Sequence, residues 1–129
     1  MKGIAKLALA VAATAVPAVL IAAPADAAPK GDGIITPLHA ACGSPAPRNL
    51  DPISGITGAS AGARIRTGSS TGCTARGSSQ PSDPLDYYCF TVGNDGFTWT
   101  YLRNGRTQVQ GWTRDNLLPG NGSNYYCGF

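Results

Sequence analysis

The chain has 129 residues, a formal net charge of +3 and four cysteines. Residues 28–129 carry Lys30 and seven arginines against six aspartates, a net charge of +2. This charge is too weak to suggest the strongly basic face of a nucleic-acid-binding domain. The length suits one small domain, which typically needs at least about 50 residues.

The first 27 residues have the pattern of a secretory signal peptide. Lys2 and Lys6 precede the apolar run "LALAVAATAVPAVLIAA", which ends in Ala25-Asp26-Ala27. A charged start, an apolar middle and an A-x-A end predict export with cleavage after Ala27. The run is short for a membrane span, and Pro17 interrupts it. We therefore expect a secreted, extracellular chain with no membrane span in its mature part.

All four cysteines lie in the exported part: Cys42, Cys73, Cys89 and Cys127. An even number of cysteines in a short exported chain indicates two disulfides. No C-x-x-C pair is present and His39 is the only histidine, which argues against a zinc site and against a catalytic thiol. We expect no metal and no cofactor.

Residues 28–60 read as an irregular leader rich in proline, glycine and alanine. They contain five prolines but few large apolar residues, and no helical period is visible. All ten aromatic residues lie between Tyr87 and Phe129, so the core is expected in the second half of the chain. Residues 119–129 form a C-terminal tail that carries Cys127.

Short strands separated by turns are predicted between the leader and the tail. The strand candidates are residues 63–66, 86–92, 97–103 and 106–113, and residues 114–118 suggest a 3₁₀ turn. The period-2 pattern of the third segment places Phe97, Trp99 and Tyr101 on one face. Asn104-Gly105 predicts a type I′ hairpin turn. The last three strands would form a meander, and the fold class would be all-β.

Residues 58–62, "GASAG", match the G-x-S-x-G nucleophile elbow of serine hydrolases. An elbow needs a strand before it and a helix after it, whereas these residues precede a predicted strand. The chain is also far shorter than an α/β-hydrolase. We interpret the motif as a flexible linker and predict that the protein is not an enzyme.

Residues 63–118 resemble a bacterial SH3-like domain of the exported, wall-associated kind. "RIRTGSST" is similar to the family's opening strand and loop, "DYYCFTVGNDGFTWTYL" to its central strands, and "GWTRDNLL" to its closing segment. The closest likeness is to small secreted proteins of the actinomycete type with one cysteine-stapled domain. The resemblance implies a small SH3-like barrel of about five short strands over residues 61–118. The segment 71–84 departs from the family's second strand, whose register stays open.

The disulfide pairing is inferred from the resemblance. In such a barrel Cys73 and Cys89 would fall on neighbouring segments, and Cys42 and Cys127 would flank the barrel where its ends lie close together. The resemblance therefore favours 73–89 with 42–127 over 42–73 with 89–127. The sequence alone permits three pairings.

The resemblance also implies a non-catalytic module that binds cell-wall peptidoglycan or its peptides. The aromatic ligand-binding candidates, which could stack on glycan rings or peptide backbone, are Tyr87, Phe97, Trp99, Tyr101 and Trp112. The arginine candidates, which could pair with stem-peptide carboxylates or wall phosphates, are Arg103, Arg106 and Arg114. Core packing for the aromatics and a solvated surface for the arginines remain the alternatives.

A second functional class also fits the sequence. A disulfide-stapled domain without an accompanying hydrolase domain could be a secreted protein-interaction factor, such as an inhibitor, a signalling protein or an effector. Its contacts would lie in loops, with residues 74–84 as the first candidate. Retention in the wall fraction would favour the wall-binding hypothesis, and free release into the medium would favour the protein partner.

Overall fold

The structure, a computed structural model, describes residues 39–129. The predicted signal peptide and the first part of the leader lie outside the described residues. The described part contains five strands and two 3₁₀ turns. The strands are β1 (Ala63–Arg66), β2 (Ala75–Ser79), β3 (Leu85–Val92), β4 (Thr98–Asn104) and β5 (Gln110–Arg114), and the 3₁₀ turns are Asp115–Leu117 and Pro119–Asn121.

The strands form one antiparallel sheet in the order β2-β1-β5-β4-β3. Consecutive strands β3, β4 and β5 pair as the predicted meander, and β1 lies between β2 and β5. The prediction of an all-β fold with about five short strands and two disulfides is confirmed. The 3₁₀ turn predicted within residues 114–118 is confirmed as well.

The second strand, whose register the sequence left open, is the short segment Ala75–Ser79. It pairs with β1 from Ala63↔Ser79 to Arg66↔Ala75, with an irregularity that leaves Arg76 as an extra residue. Ile65 points into the core and is fully buried.

The sheet does not close into a barrel, and this part of the expectation is wrong. Closure needs free backbone groups at the outer edge of β3, but other segments occupy that edge. The peptide N–H groups of Leu50 and Asp51 both donate to the carbonyl of Tyr88, and Ile56 bonds with Leu85 in both directions. Residues 125–127 of the tail bond to Phe90 further along the same edge.

The leader also forms hydrogen bonds with the loop between β1 and β2. Its Ala40 exchanges hydrogen bonds with Ser69, and the Gly43 N–H donates to the carbonyl of Thr67. The leader backbone runs so close to Gly68 that a Cβ there would lie 2.7 Å from the Ala41 carbonyl carbon. The described part of the leader, residues 39–60, is irregular, yet its backbone makes several hydrogen bonds to the strands and to the loop after β1.

The predicted disulfide pairing is wrong. The bonds are Cys42–Cys73 and Cys89–Cys127, the alternative pairing. Cys42 follows the leader residues bonded to the loop after β1, which places it next to Cys73. Cys127 follows Tyr126, which bridges to Phe90, and therefore lies next to Cys89. Each disulfide thus ties one end of the described chain to the sheet.

The turn after β4 also differs from the prediction. Neither Asn104 nor Gly105 has a positive φ, as a type I′ turn would require, and Gln108 instead lies in the left-handed region with φ of 64°. The Asn104 carbonyl accepts the Gln108 N–H at 2.7 Å, and the Asn104 side chain accepts the N–H groups of Arg106 and Thr107. The connection between β4 and β5 is therefore longer than a two-residue hairpin turn. The Asn104 side-chain oxygen stabilises this loop by accepting backbone N–H groups within it.

One face of the sheet carries an inner core made mainly of aliphatic residues. Its members are Ala59, Ala63, Ile65, Leu85, Tyr87, Leu102 and Leu118. Residues 58–62 help to close it: Ala59 is buried, and the N–H groups of Gly58, Ser60 and Gly62 bond to Pro81, Leu117 and Ser79. The "GASAG" motif is therefore a bonded turn leading into β1, and its interpretation as a flexible linker is wrong.

The other face carries an outer aromatic cluster formed by Trp99, Tyr101 and Trp112 with Ala40 of the leader. Tyr101 and Trp112 are directly opposite each other on β4 and β5, so their side chains share this face. Their rings meet edge to face with centroids 5.3 Å apart. Tyr88 and Cys127 complete the packing around the cluster.

Candidate functional site

Four of the five aromatic binding candidates are buried. Trp99, Tyr101 and Trp112 lie in the outer aromatic cluster, and Tyr87 lies in the inner core. The Tyr87 hydroxyl donates to the carbonyl of Pro119 at 2.8 Å, and burial raises the pKa of this phenol well above its ordinary value. Core packing is the arrangement that the structure shows for these four residues. They do not present a stacking surface to solvent.

The outer cluster is covered because the leader and the tail pass over it. Ala40 contacts it from the leader, and the Phe129 ring lies edge-on to Trp112 with centroids 6.2 Å apart. The Thr91 hydroxyl donates to the Phe129 carbonyl and holds the end of the tail in place. Trp112 is fully buried, and its indole N–H has no hydrogen-bond partner among residues 39–129. Trp99 and Tyr101 share one face as predicted, but Phe97 lies outside the cluster, and Ala40 of the leader and Phe129 of the tail cover the face.

Phe97 and Arg114 meet at the end of the sheet near the β3–β4 turn. The Arg114 guanidinium lies 3.6 Å from the centroid of the Phe97 ring, a cation–π contact. Asp95 pairs with Arg114 at 3.2 Å and accepts hydrogen bonds from the Phe97 N–H and the Trp99 indole. Burial acts to raise the pKa of Asp95, but these hydrogen bonds and Arg114 lower it overall. Phe97 is exposed, so this cluster is accessible, although its charges are already paired.

Arg106 braces the β4–β5 loop. Its guanidinium bonds to Asp83, whose side chain is almost completely buried and also accepts a hydrogen bond from Asn104 at 2.8 Å. The Arg106 hydrogen bond, with those of Asn104 and Gln80, holds the pKa of Asp83 far below its ordinary value. Arg106 therefore has a structural partner, and a role in ligand binding would require it to leave that partner.

Arg103 is the arginine candidate that lines a cleft. Its guanidinium pairs with Asp86 at 2.7 Å, and the side chain remains 39% exposed. The hydrogen bond and the charge of Asp86 raise the pKa of Arg103. Asp86 also accepts the Gly55 N–H at 3.1 Å, which orients the carboxylate from the leader side. Directly opposite positions on β3 and β4 bring the two charged residues together.

The cleft has a volume of about 680 Å³ and lies between the leader and strands β3 and β4. It is lined by Asn49, Leu50, Asp51, Pro52, Ile53, Ser54, Asp86, Tyr88 and Arg103. Leu50 and Ile53 are exposed apolar side chains. Tyr88 is half-buried and its ring packs against Tyr101 with centroids 5.2 Å apart, so the cleft adjoins the outer aromatic cluster.

Arg103 was a candidate from sequence, whereas the other residues of the cleft were not. Six of the lining residues belong to the leader, whose composition gave no sign of ordered structure. A usable signal was present: Leu50 and Ile53 are among the few large apolar residues of the leader, on either side of Asp51 and Pro52. Without knowledge that the leader bonds to β3, these residues could not be placed beside Arg103.

The cleft combines apolar side chains with the Arg103–Asp86 ion pair, a second carboxylate from Asp51, one side-chain amide and two hydroxyl groups. Such a site suits a short ligand that carries both aliphatic and charged groups. In the part of the chain that the structure describes, no group of three or more histidine, cysteine or acidic side chains could hold a metal ion. No helix within residues 39–129 is long and apolar enough to cross a membrane.

Comparisons with protein-family models, with curated proteins and with solved structures found no match for this chain.

Proposed function

We propose that this chain is a secreted, non-catalytic binding module that recognises peptides of cell-wall peptidoglycan in the cleft between the leader and strands β3 and β4. The observation that carries the proposal is the placement of the Arg103–Asp86 pair beside exposed Leu50 and Ile53. Wall peptides combine carboxylates with small aliphatic side chains, and the cleft offers a partner for each.

The resemblance of residues 63–118 to bacterial SH3-like domains supports the wall as the source of the ligand. The opening and closing segments of that resemblance, "RIRTGSST" and "GWTRDNLL", lie side by side, because Arg66 of β1 is opposite Trp112 of β5. A single sheet thus unites the segments on which the resemblance rests. Two disulfides also suit a chain that works in an oxidising, extracellular setting.

Recognition would begin at Arg103. A ligand carboxylate can accept a charge-assisted hydrogen bond from the guanidinium, which also donates to Asp86 and, at 3.4 Å, to Gln108. A ligand ammonium group could then bind Asp86. The aliphatic parts of the ligand would cover Leu50 and Ile53, which removes apolar surface from water. Because the leader is tied down by Cys42–Cys73 and by its bonds to β3, the cleft is formed before the ligand arrives.

The experiment is co-sedimentation of the oxidised protein (residues 28–129) with purified, insoluble peptidoglycan, with and without attached anionic polymers. We expect saturable binding that Arg103→Gln weakens by at least roughly ten-fold, because it loses a charge-assisted bond. Arg48→Gln is the matched control, since Arg48 is exposed and does not line the cleft. Failure to sediment with either preparation, or equal binding by Arg103→Gln, would refute the proposal.

A secreted protein-interaction factor is the second candidate, and one observation favours it. The tail exposes three aromatic rings, Tyr125, Tyr126 and Phe129, each at 42% or more. Aromatic side chains held rigidly at a surface are typical anchors of protein interfaces. Release of the protein into the medium, with loss of a partner on Tyr126→Ala but not on Arg103→Gln, would favour this function.

A further inference from the structure

The two edges of the sheet differ. The outer edge of β3 is covered by residues 50–56 and 125–127, whereas β2 is the last strand on the other side of an open sheet. Within residues 39–129, the backbone groups of Arg76, Gly77 and Ser78 make no hydrogen bond outside the pairing of β2 with β1. An edge with unpaired N–H and C=O groups can accept another strand.

The charges of the molecule are also distributed unevenly. Arg103, Arg106 and Arg114 each pair with an aspartate, but in the described part of the chain the arginines of β1 and β2 have no acidic partner. These are Arg64, Arg66 and Arg76. The five aspartates of residues 39–129 all lie on other segments. Among residues 39–129, strands β1 and β2 therefore carry positive charge that no aspartate neutralises.

Two of these arginines are exposed on the edge strand and on its neighbour. Arg76 is the extra residue in the β1–β2 pairing and is exposed on the edge strand itself. Its guanidinium reaches past β1 and donates to the Gln110 carbonyl of β5 at 3.1 Å, so Arg76 must leave this bond to pair with a carboxylate at the edge. Arg64 is exposed on the neighbouring strand, opposite Ser78. Arg66 is half-buried and donates to the Cys73 carbonyl at 2.9 Å, so Arg64 and Arg76 are the two more accessible cations.

The side chains of β2 leave space for a close approach. Apart from Arg76, the strand consists of Ala75, Gly77, Ser78 and Ser79. Five residues of extended chain span roughly 17 Å, enough for several backbone hydrogen bonds to an added strand. In strand addition the backbone bonds supply affinity, and the flanking side chains supply specificity. Here the flanking groups are guanidinium ions, which select carboxylates.

We propose that the outer edge of β2 binds an acidic, extended segment of a secreted protein by strand addition, with Arg64 and Arg76 pairing with its carboxylates. This site lies on different strands from the cleft and does not depend on the function proposed for the cleft. The partner is a polypeptide, because a polyanion without amide groups could use the arginines but could not continue the sheet.

The test uses the oxidised protein (residues 28–129) and a capped hexapeptide of alternating glutamate and valine. We expect saturable binding and slower amide hydrogen exchange across Ala75–Ser79 in the complex. The double variant Arg64→Gln/Arg76→Gln should bind at least roughly ten-fold more weakly, while Arg48→Gln binds like the parent protein. The same peptide with lysine in place of glutamate should not bind.

Two further probes separate strand addition from attraction by charge alone. A hexapeptide of the same sequence, N-methylated at alternate residues, keeps its charges but loses backbone donors, and it should bind much more weakly. Linear polyphosphate should leave the exchange of the β2 amides unchanged. Equal binding of the methylated peptide, or unchanged exchange in the complex with the parent peptide, would overturn the proposal. None of these results depends on binding to peptidoglycan.

Discussion

The two faces of the sheet are closed in different ways. The inner core is closed by residues of the strands, by the turns next to them and by Ile56 and Ala59 at the end of the leader. The outer aromatic cluster is closed by the two ends of the described chain, Ala40 from the leader and residues 127–129 from the tail. Each of those ends is held by a disulfide. The segment that directly precedes β1 thus helps to close one face, whereas segments held by the two disulfides close the other.

Because the outer face is covered, the groups that a ligand could reach lie at the edges and ends of the sheet. An uncovered outer face would present Trp99, Tyr101 and Trp112 to ligands, as the strand pattern suggested. With that face covered, the accessible features within residues 39–129 include the cleft beside the leader, the Phe97–Arg114 contact, the outer edge of β2 and the tail aromatics. A domain of this size is marginal on burial alone, so the cover also adds to its stability.

The largest loss of stability is expected from removing the disulfide that holds the tail, Cys89–Cys127. The double variant Cys89→Ala/Cys127→Ala opens a loop of 38 residues and should lose roughly 4 kcal/mol of unfolding free energy. Both tryptophans belong to the outer cluster, so the tryptophan emission of the folded variant should shift to the red as Phe129 leaves Trp112. Denaturant unfolding and fluorescence measure the two effects. Unshifted emission would mean that the disulfide is not needed to cover the cluster.

A truncation in the inner core should lower the unfolding free energy without changing the tryptophan emission. Leu102 is fully buried, and Leu102→Ala should lower the unfolding free energy by about 3 kcal/mol through the cavity that it leaves. The emission of the folded variant should match that of the parent protein, because the tryptophans lie on the other face. Val92→Ala is the control: Val92 is exposed on β3 and should cost less than about 0.5 kcal/mol. A red shift in Leu102→Ala would show that the two faces do not respond separately.

The leader and the tail are also joined to each other. The buried hydroxyl of Ser123 donates to Asp51 at 2.6 Å and accepts the Tyr125 N–H at 3.1 Å. Ser123→Ala should therefore cost about 2 kcal/mol, since the buried carboxylate loses a donor. Asn124→Ala, at an exposed neighbouring position, should leave the unfolding free energy nearly unchanged. Equal stability of both variants in denaturant titrations would exclude this contact as a link between the two segments.

The smallest expected effect is a change in pH dependence at the Arg106–Asp83 pair. Because the pKa of Asp83 is lowered in the folded state, the pair stabilises the fold above the ordinary carboxyl pKa of 3.8 and loses this contribution as the pH falls below it. Arg106→Gln should therefore show a smaller loss of stability than the parent protein between about pH 5 and about pH 2. Arg48→Gln should keep the parental slope. Identical slopes for all three proteins would contradict the assignment.

The strands of the second half could be predicted because their signals are local. Alternation in residues 97–103 and the aromatic, β-branched run at 86–92 mark strands whatever surrounds them. The turn after β4 was predicted wrongly because the Asn104 side chain bonds to the N–H groups of Arg106 and Thr107, an interaction that competes with a type I′ turn. The pairing of the cysteines depends on which segments cover the edge of β3, and no local pattern contains that information.

The site was harder to predict for a similar reason. The period of β4 correctly put Trp99 and Tyr101 on one face, but a period does not reveal whether another segment covers that face. The proline-rich composition of the leader suggested a lack of order, whereas backbone groups within residues 50–56 bond to Tyr88 and Leu85 of β3. Arg103 could be named from sequence, but its partner Asp86 and the apolar wall required the register of β3 and β4.

The most direct test of the account is an NMR titration of the oxidised protein with a soluble muropeptide that carries a complete stem peptide. We predict that the signals of Leu50, Ile53, Tyr88 and the Arg103 side chain shift with saturation, while the indole N–H signals of Trp99 and Trp112 stay in place. Shifts confined to the two indoles would show that the covered aromatic face binds the ligand and would contradict the account. A spectrum without any shift would remove the wall peptide as the ligand of this cleft.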